Sequence, residues 1–213
     1  EAMGAEETEV FSRGRTYVAS GAAIPGSGVL DDFVVQLDGT GLSDQAGAAL
    51  AAGDLDGDGH RDLVIGAPYG GSARGRVHVV PGGPTFLDAG VASLDTVSSV
   101  LLDGAAPGDA FGWAVAVGEV TGDGQVDLLL QTDDEDIRVL VGPITANRSA
   151  NTAETVIDLP CARLSVADVT ADGVNDVVCM GTSSRVVAGP LAAGVLSASD
   201  VGVEVIGAHG VTT

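Results

Sequence analysis

The sequence predicts an all-β fold made of consecutive four-stranded antiparallel sheets. Three observations predict it: short Val/Leu runs between glycine-rich turns, an acidic loop that recurs three times, and no pattern for a long amphipathic helix. The chain has 32 glycines and only seven aromatic residues, so its core must come from aliphatic side chains on short elements. Runs of four to seven residues, β-branched and closed by Gly or Pro, read as strands joined by tight turns.

The acidic loops open the three best copies of the repeat: GDLDGDGHRDLVIGAP from Gly53, GEVTGDGQVDLLLQTD from Gly118 and ADVTADGVNDVVCMGT from Ala167. Their first acids, Asp54, Glu119 and Asp168, lie 65 and 49 residues apart, room for one four-stranded sheet per copy. An Arg-led strand follows each loop: RVHVVPG from Arg76, RVLVGP from Arg138 and RVVAGP from Arg185, with an extra copy, RTYVASG, from Arg15. A fourth strand then closes each unit: FVVQLDG from Phe33, SVLLDG from Ser99, TVIDL from Thr155 and VEVIG from Val203. The order is strand, acidic loop, strand, hairpin, Arg-led strand, long turn, outer strand.

This divides the chain into 1–42, the outer strands of a partial unit, and three units with acidic loops at 43–107, 108–159 and 160–213. Such units are the blades of a β-propeller, whose ring must close to protect its strand edges. About three and a half blades make no obvious closed ring. The expectation is a part of a larger propeller, with the missing strands supplied by self-association or by another part of the parent protein.

Charge narrows the function. Thirty acidic residues face nine basic ones for a net charge of -21, and all nine are arginine. Without lysine there is no P-loop lysine and no Schiff base. Without a basic face a nucleic-acid partner is not expected. No run approaches the roughly 20 apolar residues of a membrane helix, so no insertion into a bilayer is expected. Glu1 begins no recognisable signal peptide, and the chain reads as mature or truncated. The charge left to match is a metal cation.

The first loop carries Asp54, Asp56, Asp58 and Asp62, with Gly57 and Gly59 allowing a tight curl. Four carboxylates in nine residues repel one another unless a cation lies between them. Calcium suits them, taking about six to eight oxygen ligands in flexible geometry. Positions 1, 3 and 5 point inward, the His60 carbonyl contributes at position 7, and Asp62 closes the sphere at position 9. The second loop offers Glu119, Thr121, Asp123, the Gln125 carbonyl and Asp127, and the third Asp168, Thr170, Asp172, the Val174 carbonyl and Asp176. The spacing is too short for an EF-hand, and magnesium prefers a rigid octahedron with several waters. A metal-free Asp/Gly turn is the alternative for each loop.

The run FGWAVAVGEVTGDGQVDLLL from Phe111 and the VIGAP that ends at Pro68 resemble the FG-GAP repeat of integrin α-subunit propellers and their bacterial relatives. The first copy has Ala46 at the usual Phe position, and the third has Pro160-Cys161 for Phe-Gly. The resemblance implies a propeller, usually seven-bladed, with calcium in the loop between the first two strands of a blade. It also implies an extracellular or cell-surface setting and a role in adhesion, in binding a protein or surface ligand, or as a module beside other domains. The absence of lysine and the Ala/Val/Asp bias point to a high-GC bacterial source.

No catalytic constellation emerges. His60, His78 and His209 lack a flanking Ser or Cys arrangement, and no G-x-S-x-G elbow exists. A non-catalytic module is therefore expected, with an accessory domain of a secreted enzyme or a carbohydrate-binding propeller as alternatives. The run Asp133-Asp134-Glu135-Asp136 reads as a solvated hairpin tip, and the Arg-Gly-Arg pairs at 13–15 and 74–76 as repeat architecture. Asn147-Arg148-Ser149 matches a glycosylation sequon. Trp113 could serve as a binding platform, but strand alternation around it favours packing between blades. A simple hairpin pairing residue 165 with Cys179 puts the two sulfurs roughly 13 Å apart. That favours free thiols, against the pull of an extracellular setting.

Overall fold

A computed structural model describes residues 12–19, 34–132, 136–159, 161–181, 184–197 and 203–205. Strands β1 (Arg15–Ala19) and β2 (Val34–Asp38) form an antiparallel pair. They are followed by β3 (Ala49–Gly53), β4 (Asp62–Ala67), β5 (Arg76–Val80), the short β6 (Val91–Ser93) and β7 (Val100–Asp103). The next stretch gives β8 (Val115–Gly118), β9 (Asp127–Gln131), β10 (Asp136–Leu140), β11 (Arg148–Ser149) and β12 (Thr155–Asp158). Last come β13 (Arg163–Ala167), β14 (Asp176–Met180), β15 (Ser184–Val187), β16 (Gly194–Ser197) and β17 (Val203–Val205).

Three antiparallel blades result, in the orders β3-β4-β5-β7, β8-β9-β10-β12 and β13-β14-β15-β17. The fold is the all-β, propeller-type one that the sequence predicts. β17 completes the third blade against β15, so it does not join the sheet of β1 and β2. The stretch between the third and fourth strand of each blade, read as a long turn, contains a strand of its own. β6, β11 and β16 lie parallel to β2, β7 and β12, each on the outer edge of the preceding sheet. Sequence could not show this, because two to four residues carry no periodicity.

Apolar faces pack between successive sheets. Leu55, Val64, Val77, Val79 and Leu102 of the first blade meet Phe111, Val115, Leu128, Leu140 and Ile144 of the second. The second meets the third through Val120, Leu129, Ile137, Ile157, Val177 and Leu191. Val35 and Leu37 of β2 lie against Ile65, Ala67 and Leu94. At the seams, Gly14 bridges Ala46 and Gly75 bridges Phe111. A Cβ on Gly75 would stand 2.1 Å from the Phe111 nitrogen, which is why glycine sits between the two arginines of that motif.

Three expectations are corrected. Cys161 and Cys179 form a disulfide, with their Cα atoms 5.3 Å apart. The ladder pairs Leu164, not Ser165, with Cys179, and the chain leaves it beyond Ala162, so Cys161 is not carried away at strand rise. The Arg-led strands do not align at their arginines: counted from the Asp that opens the neighbouring strand, Arg138 and Arg185 face Leu130 and Cys179, as His78 faces Ile65. Arg76 lies farther out, opposite Ala67. Trp113 is 49% exposed, while Phe111 is fully buried. The positive φ of Gly112 breaks the strand alternation between them.

Candidate metal centre

Each acidic loop leaves the end of an innermost strand and returns as the second strand of the blade. In the first loop the curl is held by the carboxylates themselves. Asp54 Oδ1 accepts the Gly57 N–H at 2.9 Å and Oδ2 the Gly59 N–H at 3.0 Å. Asp56 accepts the Asp58 N–H at 3.1 Å, and Asp58 the His60 N–H at 2.7 Å. Gly57 and Gly59 have φ of 81° and 88°, the left-handed region the curl requires.

This geometry brings Asp54, Asp56 and Asp58 together. Each offers an oxygen within 4.8 Å of the other two, and Asp56 and Asp58 are exposed. Charges that close repel, and an oxygen-seeking divalent ion would relieve the repulsion. His60 is exposed.

Asp62 stands apart from this trio. It is 2% exposed, and its carboxylate accepts the Leu55 N–H and the Gly82 N–H, both at 3.0 Å. It thereby ties the start of the loop to the turn after β5. Burial pushes its pKa up, the two amide hydrogen bonds pull it down, and the charges of Asp56 and Asp58 push it up again.

The second and third loops repeat the scheme with changes. Glu119 accepts the Thr121 N–H at 3.0 Å and also the Gly122 N–H. Asp123 accepts the Gln125 N–H at 2.8 Å. In the third loop Asp168 accepts from Asp172 at 3.3 Å and Gly173 at 3.0 Å, and Asp172 from Val174 at 2.9 Å. Ala171 takes a left-handed φ of 59° where Gly57 and Gly122 of the other loops have 81° and 83°. The Thr121 and Thr170 hydroxyls turn to Asp127 and Asp176, at 3.2 and 3.4 Å. Among the described residues neither loop gathers three carboxylates as the first does.

Asp127 and Asp176 are fully buried, like Asp62. Asp127 accepts from Val120 at 2.9 Å and Gly142 at 3.1 Å, and Asp176 from Val169 at 2.8 Å and Gly189 at 3.1 Å. Burial pushes the Asp127 pKa up, against the pull of its amide partners. Sequence reasoning missed Gly82, Gly142 and Gly189 as the anchors of these carboxylates. The signal was present as a glycine beside a proline after every third strand.

At the opposite end of the innermost strands lies an open depression of about 590 Å³, lined by Leu50, Trp113, Leu164, Arg163 and Met180 among others. His78 is buried, with Nδ1 3.0 Å from Ser98 Oγ. Asp136 ion-pairs with Arg138 at 3.0 Å, while Asp133–Glu135 and His209 lie outside the described residues.

Residues 46–80 match the FG-GAP repeat family. Phosphatidylinositol-glycan-specific phospholipase D of Rattus norvegicus is 40% identical over 86 residues, and that of Homo sapiens is 39% identical over 88. The Bos taurus protein is 40% identical over 86 residues. Each match covers 38% of this chain and 10% of the relative, so the chain spans about a tenth of the length of these curated relatives.

Proposed function

We propose that this chain is a calcium-binding propeller module that works outside the cell or at its surface, holding a protein or surface ligand without catalysis of its own. The observation that carries the reading is the convergence of Asp54, Asp56 and Asp58 within 4.8 Å. The first ion would sit among these three, with the His60 carbonyl and a remaining lone pair of Asp62 as further oxygen donors. Glu119, Thr121, Asp123, the Gln125 carbonyl and Asp127 would hold a second. Asp168, Thr170, Asp172, the Val174 carbonyl and Asp176 would hold a third.

The ions serve to fix the loops, and the blades then present a rigid surface. On this reading the partners are calcium and a protein or surface ligand, with further blades from self-association or from another part of the parent protein. Nucleic acid and bilayer interior are not among them. Among the described residues no helix is long and apolar enough to cross a membrane.

A second reading, an accessory domain of a secreted enzyme, is favoured by one observation: the relatives that match are named as phospholipases. Both readings require calcium. Calorimetric titration with calcium chloride should give saturable heat, and excess chelator should lower the melting temperature by removing a ligand of the folded state. No heat together with an unchanged melting curve would reduce the loops to ordinary turns.

A further inference from the structure

A path of hydrogen bonds and two short backbone segments joins the three acidic loops. Asp176 Oδ1 accepts the Gly189 N–H at 3.1 Å. Two residues on, the Leu191 N–H donates to the Val120 carbonyl at 2.7 Å, and the Val120 N–H donates to Asp127 Oδ2 at 2.9 Å. Asp127 Oδ1 in turn accepts the Gly142 N–H at 3.1 Å. The Ile144 N–H donates to the Leu55 carbonyl at 2.7 Å, and the Leu55 N–H reaches Asp62 Oδ2 at 3.0 Å. The same unit is built twice, from third loop to second and from second to first.

Most of the path is shielded. Leu55, Val120, Ile144 and the three aspartates are all 2% exposed or less. The bonds from the Leu55 and Val120 amides are buried and those from Gly142 and Gly189 half-buried, so water competes little with them. A direct bond reinforces the link between the second and third loops, Asn175 Nδ2 donating to the Glu119 carbonyl at 3.0 Å.

Resting on the calcium reading above, we infer that the loops take up cations cooperatively, the ordering of one passing to the next through residues 142–144 and 189–191. A filled loop holds its closing aspartate and the residue after its first acid in place. Those groups are the ends of the path, so the neighbouring loop has less freedom left to lose when it binds. Repulsion between ions opposes this, but each loop carries three or four acids, more charge than one divalent ion cancels.

The coupling is reciprocal, and that gives the test. Calcium chloride alone is titrated into the chain, and the amide resonances of Gly59, Gly124 and Gly173 report each loop separately. Asp58→Ala in the first loop should weaken the midpoint read at Gly124 by about fivefold or more, and Asp123→Ala should weaken that at Gly59 by the same factor. Ile144→Pro removes the bridging N–H and should bring both factors close to one, whereas Ile144→Ala keeps the N–H and the coupling. The two loop variants decide the matter even where Ile144→Pro does not fold, since reciprocity needs no bridge variant. Shifts with unchanged midpoints would overturn the coupling and leave the calcium reading standing. No calcium-dependent shift in any loop would overturn both.

Discussion

Arg76 and Asp103 face each other across β5 and β7, Nε to Oδ1 at 2.6 Å and Nη2 to Oδ2 at 3.1 Å. Arg15 and Asp38 repeat the fork across β1 and β2, at 2.6 and 3.2 Å. The second arginine of each Arg-Gly-Arg motif therefore clasps the outer strand of its own sheet. The Arg76 side chain is 24% exposed and that of Asp103 43%, so solvent screens the pair substantially. Asp103→Ala should cost at most about 1 kcal/mol in urea unfolding, less at high salt. A double-mutant cycle with Arg76→Ala that shows no interaction energy would refute the clasp.

Asp58 and Asp62 should separate under mutation. Asp58→Ala removes an exposed carboxylate of the proposed site and should weaken calcium binding while leaving the calcium-free melting temperature within a few degrees. Asp62→Ala strands the buried N–H groups of Leu55 and Gly82 and should cost about 2–4 kcal/mol even in chelator. Equal calcium-free stability of the two variants would contradict the division of roles.

The disulfide should matter in proportion to the loop it closes. Cys161 and Cys179 are 18 residues apart, and closing such a loop stabilises by about 3 kcal/mol. Reduction, or Cys161→Ala, should lower the melting temperature by roughly 6–12 °C for a chain of this size. Thiol titration of the unreduced, denatured chain should find no free cysteine.

His78 makes stability depend on pH. Burial is the main cause that lowers its pKa, to about 4; the Asp95 carboxylate opposes this and Arg76 adds to it, while Asp44 and Asp103 oppose it weakly. The unfolded chain, with an ordinary imidazole near 6.5, takes up the proton first. The contribution is therefore full above about pH 6.5 and is lost as pH falls toward 4, by up to about 3 kcal/mol. The stability of His78→Leu should fall less over this interval. Parallel urea midpoints for the two proteins would disprove it.

The repeat was legible because it is local. The loops at Asp54, Glu119 and Asp168 and the four strand classes could be read from turn residues and short apolar runs. The Asp54, Asp56 and Asp58 cluster followed from spacing alone. What escaped depends on register or on other blades. Arg138 matches His78, not Arg76, because the hairpins before them differ in length, and sequence alignment at the arginine hides this. Asp62 reads as one more acid in the loop, and only the fold shows both its oxygens on amides 7 and 20 residues away. Cys161 would lie on an extended strand if β13 ran that far back, but the strand begins only at Arg163.

The strands lent backwards set an order of assembly. The outer edge of β7 ends at Asp103, but the strand that covers it begins at Arg148. β12 likewise ends at Asp158 and waits for Gly194. On a ribosome, each of the first two blades therefore emerges with one side still able to pair with a stranger, and is sealed only when most of its successor has been made. During that interval the open side is a hazard for mispairing between nascent chains. A pause in translation just before Arg148 or Gly194 would prolong it.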